Sequence, residues 1–453
     1  MDTICAIATA KATAAIGVIR VSGDDAFKIC DKIIKTKSKP LCDSPTAVMR
    51  LGKVFDGERA VDEALCAVFF APNSYTGENI VEINCHGGIS ILERVLKLLI
   101  KNGCRQAEAG EFTKRAFLNG KLDLVQAEAV GDLIHSTSAL DASLALERMS
   151  GKLSHQFDDV FSELVAINTD ILAYIDFPEE GLVDVDSDSV IARLKAVQSK
   201  LLQLEKSFEI GSVIKDGATT AIVGAPNVGK STLLNAILGY DRSIVSDTAG
   251  TTRDMVSESA VFGDITLNLC DTAGIRSTDG EIEKMGIEIS KRQLENADLV
   301  FALFDGSRAL ESDDIDIIEL CKNKTAVAII NKTDLELAAD TQLIKNSFKN
   351  TVLISAKQGD GIDKIAEVVK TLFNTDSINI ESGLMLTNLR HYERVVKARE
   401  LVKSALNTTE LGFTPDLASV DITEAASQIS LITGRGVSDK IIDEIFSKFC
   451  VGK

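Results

Sequence analysis

The hydrophobic pattern changes register along the chain, and each change marks a different kind of architecture. Up to about residue 118, short apolar runs alternate with polar turns. Residues 4–9, 16–21, 47–55, 64–70 and 80–84 have strand patterning; Ser74-Tyr-Thr-Gly77 reads as a turn and His86-Gly-Gly88 as a stop. Residues 24–36 and 89–102 instead repeat apolar positions at three- and four-residue intervals, which predicts amphipathic helices. This segment is therefore expected to be an α+β domain.

From Gly110 to about 177 the helical period is sustained, through Leu122, Val125, Val130, Leu133 and Ile134. Asp176-Phe-Pro-Glu-Glu180 and the acidic stretch up to Ser189 interrupt it, and a further helix is predicted over 190–208. Residues 217–374 then alternate strands, at 219–223, 265–270, 325–330 and 351–354, with helices, of which the first begins at 232–238. That alternation predicts a mostly parallel sheet. From 386 the chain is helical again. Helical segments on both sides of an α/β segment point to an insertion into one helical bundle. The expected division is 1–118, 119–213, 214–376 and 377–453.

Composition narrows the possibilities. A length of 453 residues suits about three domains, and 45% hydrophobic residues suit ordinary folded cores. A net charge of −18, with no Trp, argues against a basic nucleic-acid coat protein or a base-stacking surface. The nine cysteines lack zinc-site spacing, and an odd number fits a closed disulfide framework poorly. With no apolar run long enough to span a bilayer, a cytoplasmic protein with reduced thiols is expected.

The chemistry concentrates in Gly224-Ala-Pro-Asn-Val-Gly-Lys-Ser231, which has P-loop spacing between a predicted strand and helix. Gly224 and Gly229 let the backbone wrap phosphates, Lys230 can reach the β- and γ-phosphates, and Ser231 offers a hydroxyl to magnesium. Four more motifs follow in the order a GTPase needs. Gly250-Thr-Thr-Arg-Asp254 supplies a threonine for magnesium. Asp271-Thr-Ala-Gly274 supplies a carboxylate for magnesium and an N–H for the γ-phosphate. Asn331-Lys-Thr-Asp334 places a carboxylate that can accept two hydrogen bonds from the N1 and N2 edge of guanine, an edge adenine lacks. Ser355-Ala-Lys357 offers a backbone N–H to guanine O6. Together they define a guanine-nucleotide domain.

Ile275 stands where many small GTPases carry a water-orienting Gln. Hydrolysis therefore needs another group for the water and another source of positive charge. Glu281 and Glu283 lie close by in sequence, Asn227 can help to hold a monovalent cation, and Arg253 and Arg276 are alternative cationic fingers.

Beyond these motifs the chain resembles, over essentially its full length, the MnmE (TrmE) family of tRNA-modification GTPases. The resemblance is carried by Ala71-Pro-Asn-Ser-Tyr-Thr-Gly-Glu78, Val81-Glu-Ile-Asn-Cys-His-Gly-Gly88, Gly110-Glu-Phe-Thr-Lys-Arg-Ala-Phe-Leu-Asn-Gly-Lys-Leu-Asp-Leu124, Ala173-Tyr-Ile-Asp-Phe-Pro-Glu-Glu180, Leu386-Thr-Asn-Leu-Arg-His391 and Phe449-Cys-Val-Gly-Lys453. It implies a multidomain α/β and α fold: an N-terminal α+β folate-binding and dimerising domain, a discontinuous helical bundle and an inserted Ras-like P-loop G domain. It further implies a homodimer that works with FAD-containing MnmG (GidA) in a heterotetramer or larger complex. Together they modify C5 of the wobble uridine, position 34, of certain tRNAs to the aminomethyl or carboxymethylaminomethyl form. The one-carbon unit comes from a 5,10-methylene or 5-formyl tetrahydrofolate derivative.

The same resemblance assigns GTP or GDP contacts to Asn227, Val228, Gly229, Lys230, Ser231 and Thr232 in the P-loop. It adds Ser246, Asp247, Thr248, Ala249, Gly250, Thr251 and Thr252, then Asp271, Thr272, Ala273 and Gly274. The base contacts are Asn331, Lys332, Asp334, Ser355, Ala356 and Lys357. Magnesium falls to Ser231 and Thr252, and potassium to Asn227, Ser246, Thr248 and Thr251. Glu283 is assigned to position water, with Lys230 and Asp271 as its catalytic companions. Folate falls to Arg20, Glu82, Lys121 and Lys453, and Cys450 is a candidate catalytic thiol. A ribosome-assembly GTPase is the rival reading, but no GxxG of an RNA-binding KH module follows residue 376. One departure from the family stands out. Where relatives carry a Pro/Gly-rich loop, this chain has Thr9-Ala-Lys-Ala-Thr-Ala-Ala-Ile16, and the loss of easy positive φ predicts a different loop path.

Overall fold

The computed structural model describes residues 2–37, 39–176, 187–240, 257–262, 264–270, 294, 297–373, 385–412 and 415–453. Strands run β1 (Ile4–Ile7), β2 (Ile16–Ser22), β3 (Ile34–Thr36), β4 (Met49–Asp56), β5 (Arg59–Phe69), β6 (Ile80–His86), β7 (Arg105–Gln106), β8 (Ala218–Gly224), β9 (Ser257–Phe262), β10 (Ile265–Cys270), β11 (Leu299–Asp305), β12 (Ala326–Asn331) and β13 (Asn350–Leu353). Helices run α1 (Ala26–Ile33), α2 (Ile89–Lys101), α3 (Glu111–Leu118), α4 (Leu124–His135), α5 (Ala139–Met149), α6 (Lys152–Asp176), α7 (Ser187–Asp216), α8 (Lys230–Tyr240), α9 (Ser312–Cys321), α10 (Thr341–Ser347), α11 (Ile362–Leu372), α12 (Leu389–Glu410), α13 (Pro415–Thr433) and α14 (Asp439–Ser447). The chain divides into two compact units, one of Met1–Gly131, Arg148–Arg193 and Ser404–Lys453, the other of Asp132–Glu147 and Leu194–Lys403.

The first unit is built on a seven-stranded sheet in the order β3-β4-β5-β6-β2-β1-β7. Its pairs are antiparallel except β1 with β7. Helices α1 and α2 bury Ile29, Ile33, Leu92, Val95 and Leu99 against one face, where they meet Ile19, Val21, Val54, Val68 and Ile83. The helix predicted over 24–36 stops at Ile33. The next three residues form β3, which pairs Ile34 with Val54 and Thr36 with Gly52. Two β-branched residues and the open space at Gly52 decide this: a Cβ there would lie 2.8 Å from Ile34 Cγ2. In the same unit α6 packs on α13, and Asn168 links them by accepting from Ser419 Oγ at 2.7 Å and donating to Thr423 Oγ1 at 3.0 Å.

The loop over residues 9–15 closes without a positive φ. Ala14 N donates to Gly87 O and Gly87 N to Ala15 O, each at 3.2 Å, and Val18 N donates to Thr9 Oγ1 at 3.1 Å. The alanines are tolerated because the close approach falls on Gly87, where a Cβ would lie 2.3 Å from Ala14 O.

The second unit holds a six-stranded sheet in the order β13-β12-β11-β8-β10-β9. It is parallel except for the β9–β10 edge. Leu233, Ile237, Ile362, Ile365 and Val369 of α8 and α11 pack into one buried cluster with it; Ile318, Cys321 and Ile344 of α9 and α10 pack into another. In such a doubly wound sheet, ligands sit at the carboxyl ends of the strands. Helix α7 runs past the predicted 208 to Asp216 and packs on α12: Phe208 stacks on Tyr392 at 4.4 Å, and Glu205 pairs with Arg399. Gly211 permits this approach, since a Cβ there would lie 2.0 Å from Leu386 O. Among the described residues no helix is long and apolar enough to cross a membrane.

Candidate functional site

Three strands of the second sheet deliver the nucleotide motifs. β8 ends at Gly224, β12 at Asn331 and β13 at Leu353, so the P-loop, Asn331-Lys-Thr-Asp334 and Ser355-Ala-Lys357 all emerge at the carboxyl edge. Within the P-loop, Asn227 has φ +63° and Gly229 φ +103°. Gly229 is required by contact as well as by conformation: a Cβ would stand 2.4 Å from Asn331 Nδ2. Lys230 folds over the loop, with Nζ 2.7 Å from Gly224 O and 3.1 Å from Ala225 O. Burial pushes its pKa down. The loop is a cradle of backbone N–H groups at a helix N-terminus, with a cation laid across it, which suits phosphates. Ser231 and Thr232 are exposed at the start of α8, and Val228 is buried.

Asn331 ties the three motifs together. Its Nδ2 donates to Val228 O at 2.8 Å, and its Oδ1 accepts from Ala356 N at 3.0 Å. Ser355 Oγ donates to Asp334 Oδ1 at 2.7 Å, which holds one carboxylate oxygen and leaves Asp334 itself exposed. Lys332, at φ +65°, reaches Asp305 Oδ2 at 2.6 Å. Lys357 is exposed. Ser246, Asp247, Thr248, Ala249, Gly250, Thr251, Thr252, Arg253, Asp271, Thr272, Ala273, Gly274, Ile275, Arg276, Glu281 and Glu283 lie outside the described residues.

A separate cluster belongs to the first unit. Arg20 and Glu82 are cross-strand partners on β2 and β6, with Arg20 Nη2 2.7 Å from Glu82 Oε1. The rings of Tyr75 and Phe112 flank the guanidinium at 5.4 and 5.7 Å. The C-terminal tail brings Lys453 to this pair. Val451 bridges Ala109, Phe112 N donates to Lys453 O at 3.2 Å, and Phe446 and Phe449 pack the preceding turn at 5.3 Å. Burial and the neighbouring Arg20 push the Lys453 ammonium's pKa down against the opposing influence of Glu82. Lys121 is exposed and donates to Pro72 O at 3.1 Å, on the turn that carries Tyr75. Cys450 is exposed, and its carbonyl accepts from Gly110 N and Lys453 N. A cationic patch beside a carboxylate and two rings suits a flat heterocycle with an anionic tail.

The family comparisons cover both sites. The model of the GTP-binding protein TrmE N-terminus matches residues 3–121, and that of the MnmE helical domain matches residues 124–450. The tRNA modification GTPase MnmE of Acetivibrio thermocellus is 39% identical over 457 residues, spanning 100% of this chain and 99% of that protein. Its counterpart in Lactococcus lactis subsp. cremoris is 40% identical over 453 residues, spanning 100% and 98%. The chain belongs to the MnmE family of tRNA modification GTPases. This MnmE-family chain is thus a GTP hydrolase acting in tRNA modification, with GTP and GDP as its nucleotides. Among solved structures, Aquifex aeolicus Era bound to GDP and AlF4− is similar at 29% identity over 41% of this chain and 66% of that one, with a TM-score of 0.27.

Three features of this MnmE-family chain escaped the motifs. Asp305 forms no motif, although its place at the end of a parallel strand puts it at the ligand edge. Tyr75 reads as a turn residue, and Phe112 only as part of a family stretch. Arg115, a buried cation that joins Asp2, Glu78 and Glu111 in an ion network, lies in a family stretch without an evident partner in sequence.

Proposed function

We propose that this chain is a potassium-stimulated GTPase that works with an FAD-containing partner of the MnmG kind. Together they build the 5-aminomethyl or carboxymethylaminomethyl group on uridine 34 of certain tRNAs, with a one-carbon unit from a tetrahydrofolate derivative. The observation that carries this reading is the presence in one chain of two built sites: the P-loop locked to Asn331 and Ala356, and the Arg20–Glu82–Lys453 cluster. The first suits GTP. The second suits folate, whose pterin N–H edge matches Glu82 and whose glutamate tail matches Lys453, Arg20 and Lys121.

In this reading the domains are 1–118, 119–213, 214–376 and 377–453. Magnesium, held by Ser231 and Thr252, supplies positive charge to the β- and γ-phosphates. Potassium, held by Asn227, Ser246, Thr248 and Thr251, supplies the charge an arginine finger gives elsewhere. Asn227 is exposed, and its backbone is already in the left-handed region. Lys230 neutralises phosphate charge, Asp271 supports the magnesium, and Glu283 orients water in place of the Gln that Ile275 displaces. The protein acts as a homodimer. Support comes from the open face of the first sheet, where Ile16, Met49, Leu51 and Leu65 are all exposed and the register pairs Leu51 with Leu65. The cytoplasm is its compartment, in keeping with eight described cysteines that form no disulfide.

The deciding experiment is GTP hydrolysis in potassium against sodium at matched ionic strength, with Asn227→Ala alongside. Stimulation by potassium that disappears in the variant is expected. Equal rates in both salts would overturn the cation mechanism and turn attention to Arg253, Arg276 or a partner. Binding of 5-formyl tetrahydrofolate to the same protein, lost in Arg20→Ala, tests the folate half.

A further inference from the structure

β11 ends beside the base motif in a three-residue bracket, Asp305-Gly306-Ser307. Its main chain holds the segment after β12 from below. Gly306 N donates to Asn331 O at 2.9 Å, and Gly306 O accepts from Ala338 N at 2.9 Å and Ala339 N at 3.2 Å. A Cβ on Gly306 would lie 2.9 Å from both Asn331 O and Leu337 Cδ2, so the approach is as close as glycine allows.

The Asp305 carboxylate, only 8% exposed, divides its two oxygens between two tasks. Oδ1 accepts from Ser307 N at 2.9 Å and Ser307 Oγ at 2.6 Å and so closes the bracket's own turn. Oδ2 takes the Lys332 ammonium at 2.6 Å. A turn alone would need one neutral acceptor, and an asparagine would serve. The second oxygen and the negative charge are used only on Lys332. Burial raises the Asp305 pKa, but Lys332 and Ser307 outweigh it and the net direction is down, so the group is ionised at neutral pH.

We propose that Asp305 is a positioning residue for the nucleotide: it pins the Lys332 ammonium so that the lysine's aliphatic stem forms one wall of the guanine slot. This rests on reading Asn331–Asp334 as the base site. Lys332 sits at a positive φ that a side-chain-bearing residue rarely adopts, and its long side chain is only part-buried. Without a fixed end, that stem samples many rotamers, and nucleotide binding must order it. Because a base wall is used equally by bound GTP and by the transition state, its loss weakens binding and leaves the chemical step alone.

The test uses the full chain and reads GDP affinity by fluorescence titration and GTP hydrolysis at steady state. Asp305→Asn keeps the turn acceptor and removes the charge. It is expected to weaken GDP about tenfold and to raise KM with kcat unchanged, as the loss of one charge-assisted bond implies. Asp305→Glu, which keeps the charge, is expected to recover most of that loss. In the double variant with Lys332→Met, GDP affinity is expected to match that of Lys332→Met alone, since the two residues act through one contact. Fully additive losses would overturn the proposal, as would wild-type affinity in Asp305→Asn. Asp334→Asn is the control for the underlying site: if it binds GDP as the wild type does, the base-site reading itself fails.

Discussion

The side chain of Asn331 donates to the Val228 carbonyl at 2.8 Å, so a residue at the end of β12 fixes the middle of the P-loop. The other end of the same amide accepts from Ala356 N. One buried side chain therefore sets the spacing between the phosphate cradle and the base loops, a distance that a guanine nucleotide has to span. Asn331→Ala would leave a buried carbonyl and a buried N–H unpaired. We expect the loss of about 2 kcal/mol or more of stability in the second unit, and GDP release faster by about tenfold or more. Asn331→Asp, nearly isosteric, sets a carboxylate oxygen against the Val228 carbonyl and is expected to be at least as damaging. Stopped-flow release of a fluorescent GDP and thermal melting check both. Unchanged release in Asn331→Asp would show that the P-loop holds its shape unaided.

Arg115 makes a different kind of junction. Its guanidinium meets Asp2 at 2.6 Å, Glu111 at 3.0 Å and Glu78 at 3.1 Å, and its side chain is 5% exposed. Arg115→Met would strand Glu78 without its cation and leave Glu111 with Arg105 alone, at a cost of about 3 kcal/mol or more. The pH dependence follows from Glu111. Burial raises its pKa, but Arg105, the Glu108 backbone N–H and Arg115 together outweigh this, and the net direction is down from the usual 4.5. A depressed carboxylate stabilises the fold above its unfolded pKa and loses that contribution as pH falls through its folded pKa. Wild type is thus expected to lose stability steeply below about pH 4, and the gap to Arg115→Met to close there. Urea unfolding of the two proteins from neutral to acid pH measures it; a constant gap would contradict the linkage.

Much of this was legible in the sequence because the signals were local. The P-loop, Asn331-Lys-Thr-Asp334 and Ser355-Ala-Lys357 each lie within a few residues, and each follows a strand as its chemistry requires. Periodicity failed where pairing across the sheet outweighed local preference. Residues 34–36 continue a helical apolar pattern, yet β4 offers a partner edge and Gly52 offers room. The antiparallel edge strand β9 was likewise invisible, because its partner β10 supplies the reason for it. The site residues that escaped share one property: Asp305, Tyr75 and Phe112 act through neighbours that lie far away in sequence.

The tail shows how one glycine can place a distant charge. Gly452 has φ +102°, and a Cβ there would lie 2.5 Å from Ile7 O and 2.9 Å from Ala8 Cα. Both obstacles are backbone of β1 and the residue after it, which cannot move aside cheaply. Gly452→Ala is expected to lift the last residues from the sheet and to take Lys453 away from Arg20 and Glu82. Binding of 5-formyl tetrahydrofolate should weaken by about tenfold, the worth of one charge-assisted contact. The GTP hydrolysis rate of the isolated protein should stay as it is, since the P-loop belongs to the other unit. Isothermal titration and a phosphate-release assay separate the two effects. Undiminished folate binding would mean that Lys453 takes no part in it.

Lys453 also gives the folate site a pH dependence whose sign can be worked out. Burial lowers its pKa from the ordinary 10.5, Arg20 lowers it further, and Glu82 acts in the opposite direction. The cationic form is the one that can pair with a glutamate tail, whose carboxylates stay ionised throughout the neutral and alkaline range. Raising the pH therefore discharges Lys453 earlier than an exposed lysine, and folate affinity should fall on the alkaline side of neutral. Lys453→Met is expected to bind more weakly at neutral pH and to lose that alkaline decline. Glu82→Gln removes the group that supports the charge, so its decline should begin at a lower pH than in wild type. Titrations of the three proteins across the alkaline range decide it. Any decline that comes from the pterin itself persists in Lys453→Met and can be subtracted. If wild type and Lys453→Met run parallel at every pH, the ammonium is not the group that meets the ligand, and the cluster's anion would have to rest on Arg20 and Lys121.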